Sequence, residues 1–235
     1  MNAEFDRYIK QYRKKQDKAV AISGETSEFF AAHKTEKLMQ WFENKINQPI
    51  AILDFGCGDG VMTNFVKQAF YQARVVGVDP SGESIAQAQQ EFPHITFVQT
   101  TNQSLPFPSN TFDIVYAAGV FHHINFKEHQ SYLNDIVRVL KPGGSFVLFE
   151  LNPLNPLTVL TFKRNPIDIN ATMLTPWYSK RLLNYFGKTK TIFYFFFPNF
   201  LQWFRKFEPL MIKIPFGALY ATILVKPSID QTKHK

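Results

Sequence analysis

The sequence predicts an α/β protein built on a doubly wound, mostly parallel sheet with helices on both faces. Three observations lead there. Between residues 50 and 150, short runs rich in Val, Ile and Phe alternate with helical stretches, the order that right-handed crossovers produce. A glycine-rich turn, "FGCGDG", joins the first of these runs to a helix. Acidic residues, Asp54 and Asp79, close the first two runs, at the strand ends where such sheets bind their ligands.

Each element follows from its residues. Ahead of the alternation, "TSEFFAAHKTEKLMQWFENKI" sets Phe29 or Phe30, Leu38, Trp41 and Phe42 on one helical stripe, a packing face. The strands read "IAILDF", "ARVVGVD", "HITFVQ", "FDIVYAA" and "SFVLFEL", because β-branched and aromatic residues crowd into runs too short for helices. Between them lie helical stretches such as "VMTNFVKQAF", "SGESIAQAQQEF" and "HQSYLNDIVRVL"; in the last, Leu133, Ile136, Val137 and Leu140 recur at helical spacing. "NPLNPLTVLTFKRNP" is broken by prolines and is expected to be an irregular excursion. In "TPWYSKRLLNYFG", Pro176 opens a helix and Gly187 ends it. "TKTIFYFFF" and "GALYATILVKP" supply two further strands, flanking the basic aromatic segment "PNFLQWFRKFEPLMIKIP".

A chain of 235 residues with 45% hydrophobic and 16% aromatic residues can bury a full core and is most simply one domain. Its parts are an N-terminal helical cap (1–46), a ligand-binding core (47–150), and a substrate-side cover with the last two strands (151–235). The richest apolar run, "IFYFFFPNFLQWF", is interrupted by Pro198, Asn199 and Gln202 and is too short to span a membrane. "MNAEFDRYIKQYRKK" lacks the apolar stretch of a signal peptide, and the single cysteine, Cys57, has no partner in the chain. These features lead us to expect a cytoplasmic protein. The net charge of +7 is uneven: residues 151–235 hold 12 Lys and Arg against 3 Asp and Glu, whereas residues 1–150 hold 14 against 16. A basic third suits an anionic partner, substrate or surface, or is simply a solvated face.

Glycine turns of this kind serve two common ligands. A dinucleotide-binding turn needs G-x-G-x-x-G; here Gly56 and Gly58 match, but Val61 stands where the third glycine belongs. The glycines fall at 56, 58 and 60 instead. Asp79, at the end of the second strand, is placed to accept from both hydroxyls of a ribose.

Four blocks in order, "ILDFGCGDG", "VVGVDPS", "SLPFPSNTFDIVYAAGVFHHI" and "VLKPGGSFVLFE", resemble the class I S-adenosylmethionine-dependent methyltransferases, especially the group acting on small molecules. The resemblance covers roughly residues 27 to 150. It implies a Rossmann-like, seven-stranded sheet whose C-terminal strand runs antiparallel, with S-adenosylmethionine as cofactor and S-adenosylhomocysteine as its product. It further implies that Gly56, Cys57, Gly58 and Gly60 run against the cofactor, that Asp54 supplies negative charge near its ammonium tail, and that Asp79 binds the ribose. Ser81 then lies near the adenine, Thr101 stands where relatives contact the adenine amino group, and Pro80, Asn102 and Ala117 belong with them to the cofactor-binding set. Relatives often carry an acidic residue after the third strand, where this chain has Thr101 followed by Asn102; a hydroxyl accepts the same hydrogen bond without charge.

Methyl transfer needs alignment, exclusion of water and, for some acceptors, removal of a proton. Base candidates follow the fourth and fifth strands: His122, His123 and Glu150. The alternatives are packing or capping for one of the histidines and an anchoring role for Glu150. His33, His94, His129 and His234 show no ligand spacing, so no metal is expected.

The acceptor is expected to be a small molecule, methylated on oxygen, of lipid-like, aromatic or saccharide type. No nucleic acid is expected: "AAGVFHH" replaces the Asn/Asp-Pro-Pro-aromatic turn of amino-methylating enzymes, and the only cysteine sits in the cofactor turn. RNA methylation is the weaker alternative. Another is a cofactor-binding protein without turnover, in peripheral contact with a membrane or partner through its basic aromatic third. There, Trp177, Tyr178, Tyr185, Phe186 and the "FYFFFPNFLQWFRKF" run interleave with Lys180, Arg181, Arg205 and Lys206. Tyr8, Tyr12 and Phe29 are further pocket candidates. The sequence carries no signal for oligomeric state.

Overall fold

The structure is a computed structural model that describes residues 12–100 and 104–228. In chain order the regular elements are α1 (Tyr12–Val20), α2 (Ser27–Trp41), β1 (Ala51–Phe55), α3 (Val61–Ala69), β2 (Arg74–Asp79), α4 (Gly82–Glu91) and β3 (Thr96–Gln99). There follow β4 (Phe112–Ala118), α5 (His129–Val139), β5 (Leu140–Leu151), α6 (Pro156–Arg164), α7 (Pro176–Asn184), β6 (Lys188–Tyr194), α8 (Glu208–Met211) and β7 (Leu219–Val225).

The seven strands form one sheet in the order β3-β2-β1-β4-β5-β7-β6. Neighbours from β3 to β5 pair in parallel, whereas β7 pairs antiparallel with both β5 and β6. The order reverses between β1 and β4, and a doubly wound sheet opens a crevice at that point, beyond the carboxyl ends of its strands.

Strand alternation divides the core into two layers. Leu53, Val115, Ala117 and Phe146 face one way, against Leu133 and Ile136 of α5 and Leu183 of α7. Ile52, Ile114, Tyr116 and Val147 face the other, against Leu38 of α2 and Val66 of α3. These side chains are almost wholly buried, and the Val, Leu, Ile and Phe among them each contribute about 1.5–3 kcal/mol on an area basis.

One expectation is corrected. The proline-broken stretch after β5 is not irregular, because α6 occupies Pro156–Arg164. The Asn155 side chain caps it by accepting from the Thr158 amide, and Pro156 stands in the first turn, where a missing N–H leaves no bond unmade. The basic aromatic segment forms a 3-10 stretch over Asn199–Phe207 that leads into α8.

Candidate active site

The turn after β1 is shaped by its own main chain. Gly56 and Cys57 both donate their amides to the Val78 carbonyl, at 2.8 and 2.9 Å. The Gly58 amide donates to Asp79 Oδ2 at 2.9 Å, while Asp79 Oδ1 accepts from the Ser81 amide. One carboxylate thus ties the glycine turn to the end of β2. Gly56 has φ +78, and a Cβ there would lie 2.5 Å from Val120. Gly58, with φ +53, has nothing within 4 Å on the side where a Cβ would stand: its bare face looks into a cavity.

That cavity, of ≈ 370 Å³, is walled by Asp54, Gly56, Cys57 and Gly58 from the turn, Asn64 from α3 and Arg13 from α1. Asp54 Oδ2 accepts from Thr63 Oγ1 and Tyr116 Oη at 2.7 and 2.8 Å. Burial, reinforced by the Asp79 charge, lifts its carboxyl to about 7, so a cationic neighbour would restore its charge. Asn64 Oδ1 is buried without a hydrogen-bond partner, an acceptor left for a donor in the cavity. An open glycine face, a buried acid and an unpaired carbonyl fit the zwitterionic tail of S-adenosylmethionine. Arg13 closes α1 over this wall, with Nε 2.6 Å from Asp59 and both terminal nitrogens on Glu91.

A second cavity, of ≈ 220 Å³, lies under α1, α2 and α6. Apolar residues such as Phe30, Leu157, Phe162 and Phe195 line most of it, and His122, His123 and Asp168 form its polar corner. Gln16, Ser27, Lys34 and Ala118 belong to the walls of both cavities, so the two meet beside the end of β4.

At the polar corner, His122 Nδ1 stands 2.6 Å from Glu150 Oε2, and Glu150 Oε1 accepts from the Phe121 amide at 3.1 Å. Burial opposes the charge on His122, but Glu150 and Asp168 outweigh it and raise the imidazole to about 10. Burial and the adjacent His122 charge lower His123 to about 3. Lys34 is lowered to about 8 by burial, partly offset by Glu150 and Asp54.

The sequence candidates divide accordingly. Asp54, Gly56, Cys57 and Gly58 reach the first cavity, and burial raises the Cys57 thiol far above its usual range. Gly60, Asp79, Pro80 and Ser81 shape the turns beside it: Gly60 and Ser81 stand at the N-caps of α3 and α4, and the Pro80 carbonyl accepts from Gln99 Nε2. Ala117 is corrected: period-two alternation sends it into the core against α5, and Ala118 takes the cavity wall. Thr101, Asn102 and Tyr8 lie outside the described residues. His122 and His123 reach the second cavity, while Glu150 stands behind them.

On the proposed substrate side, Trp177 and Tyr185 are exposed and line neither cavity, and Tyr178 packs on Phe126 and His129. Instead, Phe195, Phe196 and Pro198 reach the second cavity, and Phe29 supports Phe195 from behind. Lys34, Asn64 and Asp168 were missed. Only Asp168 carried a signal, as one of three acidic residues in the basic third.

Residues 52–144 match the family described as methyltransferase domain. These residues resemble a methyltransferase domain. The chain is 37% identical over 101 residues to an uncharacterized methyltransferase of Synechocystis sp., covering 43% of this chain and 47% of that protein. It is 31% identical over 106 residues to a phthiotriol/phenolphthiotriol dimycocerosates methyltransferase of Mycobacterium leprae, covering 44% and 38%. Over 99 residues it is 31% identical to a trans-aconitate 2-methyltransferase of Azoarcus sp., covering 42% and 38%. The chain thus spans less than half the length of these curated relatives. In fold it is similar to a SAM dependent methyltransferase from Archaeoglobus fulgidus, with TM-score 0.66 and 17% identity over 86% of this chain and 95% of that one. It is also similar to a possible histamine N-methyltransferase from Thermotoga maritima, with TM-score 0.68 and 15% identity over 96% and 100%. The matched stretch supplies most of the first cavity's wall, and residues of α1 and α2 supply the rest. Much of the second is walled by residues outside the matched stretch.

Proposed function

We propose that the protein transfers a methyl group from S-adenosylmethionine to an oxygen of a small-molecule acceptor held in the second cavity. One observation carries this reading: the two cavities share Gln16, Ser27, Lys34 and Ala118 as common walls, so a donor in one and an acceptor in the other face each other there. When bound, the sulfonium cofactor supplies an activated methyl group. Asp54 and Asn64 hold its amino-acid tail, Gly58 gives it room, and Asp79 takes the ribose hydroxyls. His123, neutral near pH 7, accepts a hydrogen bond from the acceptor's hydroxyl and orients it, while Glu150 positions the His122 ring behind it. Apolar walls exclude water and select a largely apolar acceptor body. Relatives named for a lipid and for trans-aconitate both fit a small-molecule acceptor.

The test is transfer of label from methyl-labelled cofactor to fractionated small molecules, beside RNA as acceptor. Label should appear in a small-molecule fraction and fall at least tenfold in His123→Ala. Label on RNA alone, or on nothing offered, contradicts the reading.

A second reading, membrane contact, draws on Phe200, Trp203, Leu210 and Phe216, all exposed, beside Lys206 and Lys213 in the same segment. It is compatible with the first and with a lipid-like acceptor. No helix among the described residues is long and apolar enough to cross a membrane. Flotation with anionic vesicles tests it: the protein should float, and Trp203→Ala with Phe216→Ala should sink.

A further inference from the structure

The polar corner of the second cavity has more structure than one hydrogen bond to the acceptor requires. His122 Nε2 and His123 Nε2 lie 3.5 and 3.4 Å from the same Asp168 oxygen, Oδ1. One ligand atom from each residue falls within 4.8 Å of the other two. Charged hydrogen bonds close to about 2.7–2.9 Å, as His122 does with Glu150 at 2.6 Å. The two longer separations match instead the spacing of ligands around one cation, since metal bonds of about 2.0–2.2 Å set neighbouring donor atoms about 3–3.5 Å apart.

The groups behind these three residues are arranged for the same purpose. Glu150 accepts at His122 Nδ1, which fixes the ring and leaves Nε2 to a metal; such carboxylate support is the usual partner of a metal-bound imidazole. Asn165 Nδ2 donates to Asp168 Oδ2 at 2.7 Å, directing the other oxygen to the histidines. The Thr172 amide donates to the His122 carbonyl at 2.8 Å, stitching the segment that carries Asp168 to the histidine turn. Charge balances as well: a divalent cation offsets the two carboxylates with both imidazoles neutral. All three ligand residues line the cavity, so further coordination positions open into the acceptor space.

We propose that His122 Nε2, His123 Nε2 and Asp168 Oδ1 bind one first-row divalent cation, of the Zn²⁺, Co²⁺ or Mn²⁺ type, with its open positions facing the acceptor cavity. Two nitrogens and one oxygen suit these ions better than Mg²⁺ or Ca²⁺, which favour oxygen ligands. The role of the site rests on the proposed function: an acceptor oxygen bound to the cation loses its proton more readily, and the cation then takes the part given above to His123. A fitting acceptor therefore carries a hydroxyl with a second oxygen close by, able to chelate.

The experiment is Co²⁺ titration of chelator-treated protein without methyl donor, followed by visible absorption and by calorimetry. One equivalent should bind with a ligand-field band, and Zn²⁺ should displace it. The band should disappear in Asp168→Asn and His123→Gln, weaken at least tenfold in Glu150→Gln, and survive in His94→Ala, an exposed control. Circular dichroism melts confirm that each variant is folded. No band in folded wild-type protein, or a band unchanged in both Asp168→Asn and His123→Gln, overturns the site. Because no cofactor is present, failure here leaves methyl transfer standing, and failure of cofactor binding leaves the metal site standing.

Discussion

The two cavities that meet at Lys34 and Ala118 are walled in different ways. Much of the donor side comes from one continuous segment, β1, its turn and α3, where main-chain direction and one clasping carboxylate, Asp79, set the shape. The acceptor side draws on α1, α2, the histidine turn, α6, the Asp168 turn and the end of β6. Its polar groups meet only because long-range hydrogen bonds bring them together. A turn built from neighbours keeps its form when other parts change, and a cavity assembled from many separate segments can be re-lined without disturbing that turn. One wall therefore suits a constant cofactor and the other a variable acceptor.

The largest effect that sharpens this contrast is expected at Gly56. A methyl group there meets Val120 at 2.5 Å on a backbone of φ +78, so Gly56→Ala should lose about 3 kcal/mol in denaturant unfolding through strain and overpacking. Gly58→Ala meets open space and should lose about 1 kcal/mol, yet weaken S-adenosylhomocysteine binding at least tenfold. Equal stability losses at the two positions would break the account of the turn.

On the acceptor side, Glu208 gathers the amides of Phe195, Phe196 and Phe197 at 3.2, 2.8 and 3.2 Å. Glu208→Ala should cost about 2 kcal/mol by stranding them. It should raise the acceptor KM while leaving cofactor affinity within twofold, the converse of Gly58→Ala. Loss of cofactor binding in folded Glu208→Ala would show that the two walls are not independent.

These residues also explain what could be read from the sequence. The strands, the glycine turn and Asp79 were legible because period-two runs and a local turn need no distant partner. Asp168 and Glu208 were not singled out, although two acids among twelve cations mark burial: each serves partners from a different segment. Lys34 gave no sign because its helix reads as a packing face, and its place at the junction depends on how α2 crosses the strand ends. Ala117 and Ala118 were exchanged because a one-residue error in a strand reverses the face. The helix α6 was obscured by prolines that in fact begin it.

A smaller effect concerns pH. Asp54 faces Thr63, Tyr116, Asp79 and Lys34, and burial lifts its carboxyl to about 7 in the fold, well above the ordinary aspartate value of about 4. The native state therefore binds more protons between about pH 4 and 7, and the unligated protein should lose stability as pH rises through that window, levelling off above it. A cationic ligand favours the charged form, so S-adenosylhomocysteine affinity should rise several-fold from pH 6 to 8. Asp54→Asn should flatten both profiles; an unchanged binding profile would remove Asp54 from the ammonium site.

The smallest effect is expected at Arg205, which reaches Glu25 at 2.7 Å and stacks over Phe195 at 4.9 Å. Arg205→Ala should cost about 1 kcal/mol in thermal unfolding and leave cofactor binding unchanged.

Calorimetric titration of the protein with S-adenosylhomocysteine, beside NADH and repeated on Asp79→Ala, tests the central claim most directly. The account predicts one site per chain for S-adenosylhomocysteine, none for NADH, and at least tenfold weaker binding in the variant. Folded protein that binds NADH, or that takes up neither ligand, would contradict it.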